Sequence, residues 1–280
     1  MAINEPRFFF DTANSDFVLQ TWEKLGDTNY NYLEGITTNP SALAKENCKT
    51  LGEFEVIVYK LCRTLTQIRN GYGGGLVYVQ IPNSNAQDIQ YINWYNYISQ
   101  LGDGKTKVVL KIPPYPRILN LIDEMEKNSF ISRLNVTGIA DAATALRCIS
   151  FPVKYVSIIP GRMQEVGIDA NAHLDCLEQR NKSTNEGVIA GSMRTLEGLQ
   201  DAIIRGCIPT IGSRVWNLMT PDHFSTFIDL WDYKPLNKNY YELIPHCDEK
   251  NINLTQSFFT QMDELGSSLF NEFVTSSYNK

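Results

Sequence analysis

Paired cysteines, clustered histidines and long apolar runs are all missing from this sequence. Its six cysteines (Cys48, Cys62, Cys148, Cys176, Cys207 and Cys247) are scattered, with no CxxC pair. In a chain of 280 residues this excludes a small disulfide-stapled scaffold and reads as reduced thiols of a cytosolic protein. Histidine occurs three times, at His173, His223 and His246, and no Cys/His spacing suits zinc, so no metal site is expected. No apolar run approaches the roughly 20 residues that span a bilayer, and residues 1–7 lack the pattern of a secretion signal. The Asn-X-Ser/Thr matches at Asn135, Asn181 and Asn253 are then coincidences of composition. Basic charge is short too. Lys and Arg number 25 against 31 Asp and Glu, for a net charge of -6 and a pI near 5.2. That argues against a nucleic-acid or anionic-membrane surface and leaves an anionic ligand to a few local arginines. The glycine-rich stretch at 70–75 is no phosphate loop, because no Gly-Lys-Ser/Thr follows and it precedes a strand.

What is present is a large apolar fraction, 43% hydrophobic against 20% charged, enough for one sizeable core. Short apolar, β-branched runs predict strands at 8–11, 35–38, 76–81, 107–112, 131–136, 154–159, 188–191 and 207–211. Helical spacing predicts helices at 16–25, 51–68, 84–101, 115–127, 140–149, 164–180, 195–205 and 215–231. The eighth strand has Pro209 inside it, which weakens that reading. Eight strand-then-helix units, with strands apolar on both faces, point to a closed (β/α)8 barrel over residues 1–234. A doubly wound open sheet would need a glycine fingerprint that is not here. Residues 235–280 form an extension: an irregular polar segment, then an amphipathic helix at 254–274 with Phe258, Phe259, Met262, Leu265, Leu269, Phe270 and Phe273. Its apolar face is expected to pack on the barrel or on a neighbouring subunit.

Lys111 ends an apolar strand and is followed by two prolines. A lysine there either bends out to solvent or is a desolvated amine with a lowered pKa, able to attack a carbonyl. In a (β/α)8 barrel reacting groups stand at the C-terminal strand ends. Those ends carry Asp11; Thr37, Thr38 and Asn39; Gln80; Lys111; Asn135 and Thr137; Ser157 and Arg162; Ser192 and Arg194. Polar groups gathered so consistently at one end favour the amine reading. Asp11 can accept and return a proton, and Arg162 with Arg194 can fork a phosphate or carboxylate. Taken singly, Asp11 can equally cap the following turn, and the arginines can be surface ion pairs.

Phe-Phe-Asp-Thr-Ala13, Gly-Ile-Thr-Thr-Asn-Pro-Ser41, Val-Val-Leu-Lys-Ile-Pro113, Asn-Val-Thr137, Tyr-Val-Ser157 with Gly-Arg162, and Ala-Gly-Ser-Met-Arg194 resemble the transaldolase family. The match is nearest to the short subfamily that includes the fructose-6-phosphate aldolases, and it runs from Phe8 to Trp231. The resemblance implies a barrel, a class I aldolase mechanism, sugar-phosphate substrates, a homo-oligomer, and no metal or organic cofactor. It makes Lys111 the Schiff-base lysine and Asp11 the acid/base. Asn39 and Asn135, with Thr38 beside them, hold the donor hydroxyls and the imine. Thr137 binds the catalytic water, Ser157 lines the pocket, and Ser192, Arg162 and Arg194 take the phosphate. Gln80 stands where transaldolases carry glutamate and the aldolases glutamine; an amide holds water but cannot take its proton. Ile159 replaces the phenylalanine of the transaldolases and the tyrosine of the aldolases. Tyr78 shares the strand face of Gln80 and could stand in for the missing phenol. The expected function is transfer of a dihydroxyacetone unit between sugar phosphates. The alternatives are a fructose-6-phosphate aldolase releasing free dihydroxyacetone, and a barrel without turnover that serves as a scaffold. A deoxyribose-phosphate-type aldolase fits poorly, because Lys154 begins its strand instead of ending it.

Overall fold

The computed structural model describes residues 7–25, 32–69, 75–126, 134–181, 187–231, 245 and 247–278. Eight strands close into a barrel in sequence order: β1 (Phe8–Asp11), β2 (Leu33–Thr37), β3 (Leu76–Gln80), β4 (Lys107–Ile112), β5 (Asn135–Ile139), β6 (Tyr155–Ile158), β7 (Gly187–Ala190) and β8 (Ile208–Gly212). All eight pairings are parallel, and β1 closes on β8 through Phe9 to Asp11 against Thr210 to Gly212. Between the strands run α1 (Ser15–Leu25), α2 (Pro40–Lys45), α3 (Leu51–Ile68), α4 (Asp88–Ile98), α5 (Pro116–Leu119), α6 (Ile122–Glu126), α7 (Ala142–Ile149), α8 (Pro160–Glu165), α9 (Ala170–Asn181) and α10 (Leu196–Ile204). After β8 come α11 (Ser213–Trp216), α12 (Pro221–Trp231) and α13 (Glu249–Tyr278).

Side chains on a strand alternate between the barrel interior and the helix layer. The interior holds its own apolar cluster: Phe9, Leu76, Tyr78, Val109, Tyr155, Ile189 and Ile208. The rings of Phe9, Tyr78 and Tyr155 meet edge to face at centroid distances of 5.7 to 6.0 Å. This plug of three aromatics fills the barrel beneath the site. Alternate residues such as Phe10, Ile36, Val77, Leu110 and Val156 face outward into the larger core shared with the helices.

The expected segments survive with informative changes. The helix expected at 164–180 starts earlier, at Pro160, and breaks before Ala170. There the Asp169 side chain accepts from the N–H groups of Asn171 and Ala172 and restarts the helix as α9. The helix expected at 215–231 is likewise two pieces. Thr220 accepts from His223 N–H, and Pro221, whose missing N–H costs nothing at a first helical position, begins α12. The helix expected at 115–127 divides into α5 and α6, with Asn120 as the cap that ends α5. β5 reaches Ile139 instead of stopping at Val136, so Thr137 lies within it. Its register shifts between Val136 and Ile139, where Gly138 takes φ +74°, a conformation that favours glycine. Pro209 sits inside β8, and the ladder to β1 runs through the residues beyond it. The glycine-rich turn at 70–74 and most of the polar segment at 235–248 lie outside the described residues. The six cysteines are free, and burial pushes the Cys62 and Cys148 thiols up to about 12.

Helix α13 crosses the mouth of the barrel at the C-terminal ends of the strands. Asn251 Nδ2 donates to Ala140 O at 2.5 Å, just after β5. Asp263 accepts from the N–H and hydroxyl of Ser84, both at 2.7 Å, in the loop after β3. Glu272 accepts from Leu51 N–H at the start of α3, and Ser268 donates to Lys49 O. Its apolar face packs Phe259 on Tyr115 and Phe273 on Trp94.

At the opposite end of the barrel, Glu34 accepts from Tyr155 Oη at 2.7 Å and from Lys154 Nζ at 3.2 Å. Burial works upward on this carboxyl, but Lys154 and the Tyr155 hydroxyl outweigh it and the pKa lies below the ordinary value. A depressed carboxylate pKa stabilises the fold above the unfolded value, and that contribution is lost as pH falls through the folded one. Glu34→Gln is therefore expected to destabilise by about 1–3 kcal/mol at pH 7 and to flatten the stability loss below about pH 4.3. Urea unfolding across pH 3 to 7 checks this; equal acid sensitivity in both proteins would refute it.

Candidate active site

Two residues further along five of the strands, the same interior face changes from apolar to polar. Phe9 gives way to Asp11, Tyr78 to Gln80, Val109 to Lys111, Tyr155 to Ser157 and Ile208 to Thr210. The strand ends thus build a polar floor above the aromatic plug. Over it lies a cavity of about 380 Å³, closed on one side by α13. Asp11, Asn39, Lys111, Thr137, Ser157, Arg162, Ser192 and Arg194 all line it.

Lys111 is 7% exposed, and among the described residues its ammonium has one hydrogen bond, a long one of 3.5 Å to Thr38 O. In register it is flanked by Gln80 on β3 and Asn135 on β5. Burial drives its pKa below the ordinary lysine value, against Asp11, which favours the charged form. Asp11 accepts from Thr37 Oγ1 at 3.1 Å and from Asn39 Nδ2 at 3.5 Å. Asn39 is fixed from its other end: its Oδ1 caps α2 by accepting from Ala42 N–H, which aims the amide nitrogen at Asp11. Three of the expected residues, Thr38, Gln80 and Asn135, are buried beside the cavity and do not line it. Asn135 Oδ1 accepts from Ser157 Oγ at 2.8 Å, while its Nδ2, Thr38 Oγ1 and both amide atoms of Gln80 have no partner among the described residues. Unpaired buried polar atoms on either side of one lysine mark a place for water or a ligand hydroxyl.

The anion end is built by close approach of two loops. A Cβ on Gly161 would come within 2.0 Å of Ser192 O, and Ser192 itself takes φ +55°. This brings Arg162 and Arg194 together over the cavity. Arg194 donates to Glu165 at 2.7 Å and to Ser192 O at 3.0 Å. Arg162 donates to Gln261 of α13, and its buried Nε has no partner among the described residues. Burial, then the nearby Arg194, push the Arg162 pKa downward.

The cavity wall also includes Thr37, one of the polar strand-end residues, and Phe258 and Met262 of the extension helix, together with Thr210, Lys45, Glu165 and Arg214, which the sequence did not mark. Thr210 lies inside β8, two residues after Ile208 on the same face, and carried the same alternation signal as the other strands. Lys45 and Arg214 are exposed polar residues of short helices, indistinguishable in sequence from ordinary surface. Tyr78, considered as a replacement phenol, does not reach the cavity: alternation places it one layer below Gln80, in the aromatic plug. Ile159 does line the cavity, so an alkyl side chain takes that part of the wall. Among the described residues no three His, Cys, Asp or Glu side chains are placed to hold a metal ion, and no helix is long and apolar enough to cross a membrane.

No family model matches the chain. Curated proteins do. A "Probable transaldolase" of Thermodesulfovibrio yellowstonii is 24% identical over 208 residues, covering 73% of this chain and 86% of that protein. A protein of the same name from Exiguobacterium sibiricum is 25% identical over 225 residues, covering 79% and 93%. One from Bdellovibrio bacteriovorus is 24% identical over 217 residues, covering 76% and 89%. The chain is related to the transaldolase family. An amide, Gln80, stands beside the lysine, and a long helix following the barrel closes one side of the mouth.

Proposed function

We propose that the protein is a Schiff-base transaldolase acting on sugar phosphates. The observation that carries this reading is Lys111: an amine buried at a strand end, depressed in pKa, opening onto a polar cavity between a carboxylate and two arginines. A solvated lysine would need none of that, and a buried ammonium without a function is costly. In the proposed reaction Nζ of neutral Lys111 adds to the C2 carbonyl of a ketose phosphate such as fructose 6-phosphate. The carbinolamine loses water and becomes an imine. Asp11 takes the C4 hydroxyl proton, the C3–C4 bond breaks, and its electron pair moves into the imine to give an enamine. The aldose phosphate departs. The enamine carbon then attacks the aldehyde of an acceptor, glyceraldehyde 3-phosphate or erythrose 4-phosphate, and Asp11 returns the proton to the new alkoxide. Water hydrolyses the imine and frees Lys111. Asn39 and Asn135 hold donor hydroxyls, Thr137 and Gln80 hold the water, and Ser192, Arg162 and Arg194 hold the phosphate.

Gln80 favours a second reading. An amide cannot deprotonate water, and it matches the branch that releases free dihydroxyacetone. Incubation with fructose 6-phosphate followed by borohydride is expected to leave a stable adduct on Lys111. Adding erythrose 4-phosphate to the unreduced reaction is expected to yield a seven-carbon ketose phosphate. Free dihydroxyacetone with no transfer product would select the aldolase, and a folded protein without adduct would end both readings.

A further inference from the structure

The two cavity arginines are held in different ways. Arg194 donates to a carboxylate, Glu165 at 2.7 Å, so a countercharge sits directly against it. Among the described residues Arg162 meets no carboxylate within hydrogen-bond reach; Glu165 and Asp11 act on it only through space. Its Nη1 donates to the neutral amide oxygen of Gln261 at 3.0 Å, and its guanidinium lies 5.0 Å over the Phe258 ring. Both partners come from α13, which follows the barrel in sequence. A neutral acceptor and a ring face orient a guanidinium without cancelling its charge. The buried Nε, without a partner among the described residues, remains for an anion.

The seat of α13 at this point is shaped into the barrel itself. A Cβ on Gly138, next to Thr137, would come within 2.6 Å of the Phe259 ring and 2.9 Å of the Phe258 ring. Only a residue without a side chain lets these two aromatics lie against β5. Phe258 is 6% exposed and Met262 1%, and both line the cavity. One turn on, Asp263 ties the helix to the loop after β3.

We infer that Gln261 and Phe258 are positioning residues, which hold Arg162 charged and aimed so that the site prefers a ligand ending in a phosphate. The substrate class rests on the proposed transaldolase reading, while the anion preference stands on the geometry of Arg162 alone.

Two measurements on the full chain test this separately. The first is binding of inorganic phosphate, followed by calorimetry. Gln261→Ala is expected to weaken it about tenfold, by freeing the guanidinium. Gln261→Glu, the same size, is expected to weaken it at least as much, because a carboxylate would neutralise Arg162. A role in helix packing alone would tolerate that isosteric change. Phe258→Leu is expected to weaken it about threefold, because the ring face under the guanidinium is lost. The second is borohydride trapping on Lys111 with fructose 6-phosphate and with fructose. In the Gln261 variants the half-saturating concentration is expected to rise about tenfold for the phosphorylated sugar and to stay within twofold for fructose. Phosphate affinity unchanged in Gln261→Ala and Gln261→Glu would overturn the inference, as would wild-type protein that does not bind phosphate. So would equal losses for the two sugars. Absence of any sugar adduct in wild-type protein would instead overturn the transaldolase reading, and the phosphate measurement would still decide the role of Gln261.

Discussion

Replacing Lys111 with methionine is expected to abolish borohydride trapping, to lower turnover at least about a thousandfold, and to make the protein more stable. The first two outcomes follow from losing the nucleophile. The third follows from its burial. Lys111 is almost fully shielded from water, with a single long hydrogen bond among the described residues, and its folded pKa lies below the unfolded one. Between those two values the unfolded chain binds more protons than the folded chain, so wild-type stability rises with pH and is diminished at neutrality. Methionine is close to lysine in volume and has no charge to desolvate. A gain of about 1–3 kcal/mol at pH 7 is expected, narrowing as pH approaches the unfolded lysine value of about 10.4. Asp11, which loses a nearby cation, works in the opposite direction. Thermal melts of both proteins at pH 7 and pH 10 measure the difference. A destabilised variant that still turns over would place Lys111 among the structural lysines and remove the nucleophile from the mechanism.

The other large effect concerns Asp11. Asp11→Asn is expected to slow turnover by about 10²- to 10⁴-fold, the range for loss of one general acid/base. The fold should hold, because an asparagine carbonyl can still accept from Thr37 Oγ1, as the carboxylate now does at 3.1 Å. The mass of the trapped species makes this more than a rate measurement. If Asp11 serves carbon–carbon cleavage, the variant still forms the imine with fructose 6-phosphate and then stalls. Borohydride would therefore fix the intact six-carbon sugar phosphate on Lys111, where wild-type protein would also yield the three-carbon fragment. A variant that traps only the fragment, at the wild-type rate, would assign Asp11 to holding Thr37 and Asn39 in place.

The barrel was legible because parallel strands buried on both faces leave short, dense apolar runs, and helix 51–68 matches α3 residue for residue. The polar floor was legible for a related reason. Alternation carries Phe9 to Asp11 and Val109 to Lys111 on one face, so a change from apolar to polar at a strand end is visible in one dimension. Other features depend on contacts between distant segments. Ser192 takes its left-handed backbone because Gly161 lets another loop approach, and nothing near Ser192 announces that. Helix 254–274 showed a buried face but not its partner. A stripe of Phe and Met reads the same whether it meets an outer helix layer or a cavity. Gln261 lies on the exposed side of that helix and looks like solvent-facing polarity until Arg162 is beside it. Tyr78 shows the limit of face arguments: alternation named its side correctly and said nothing of its depth.

The order of the chain gives the crossing of α13 a further consequence. All eight strands precede Glu249–Tyr278, so a ribosome delivers every strand, and Lys111 with them, before it delivers the helix that holds Arg162. Domains fold as they emerge, and synthesis runs at about 5–20 residues per second. A nascent barrel can therefore close with its mouth open and Arg162 untethered for some seconds. During synthesis the carbonyl-reactive amine is assembled first, and the part that holds the anion-binding arginine arrives afterwards.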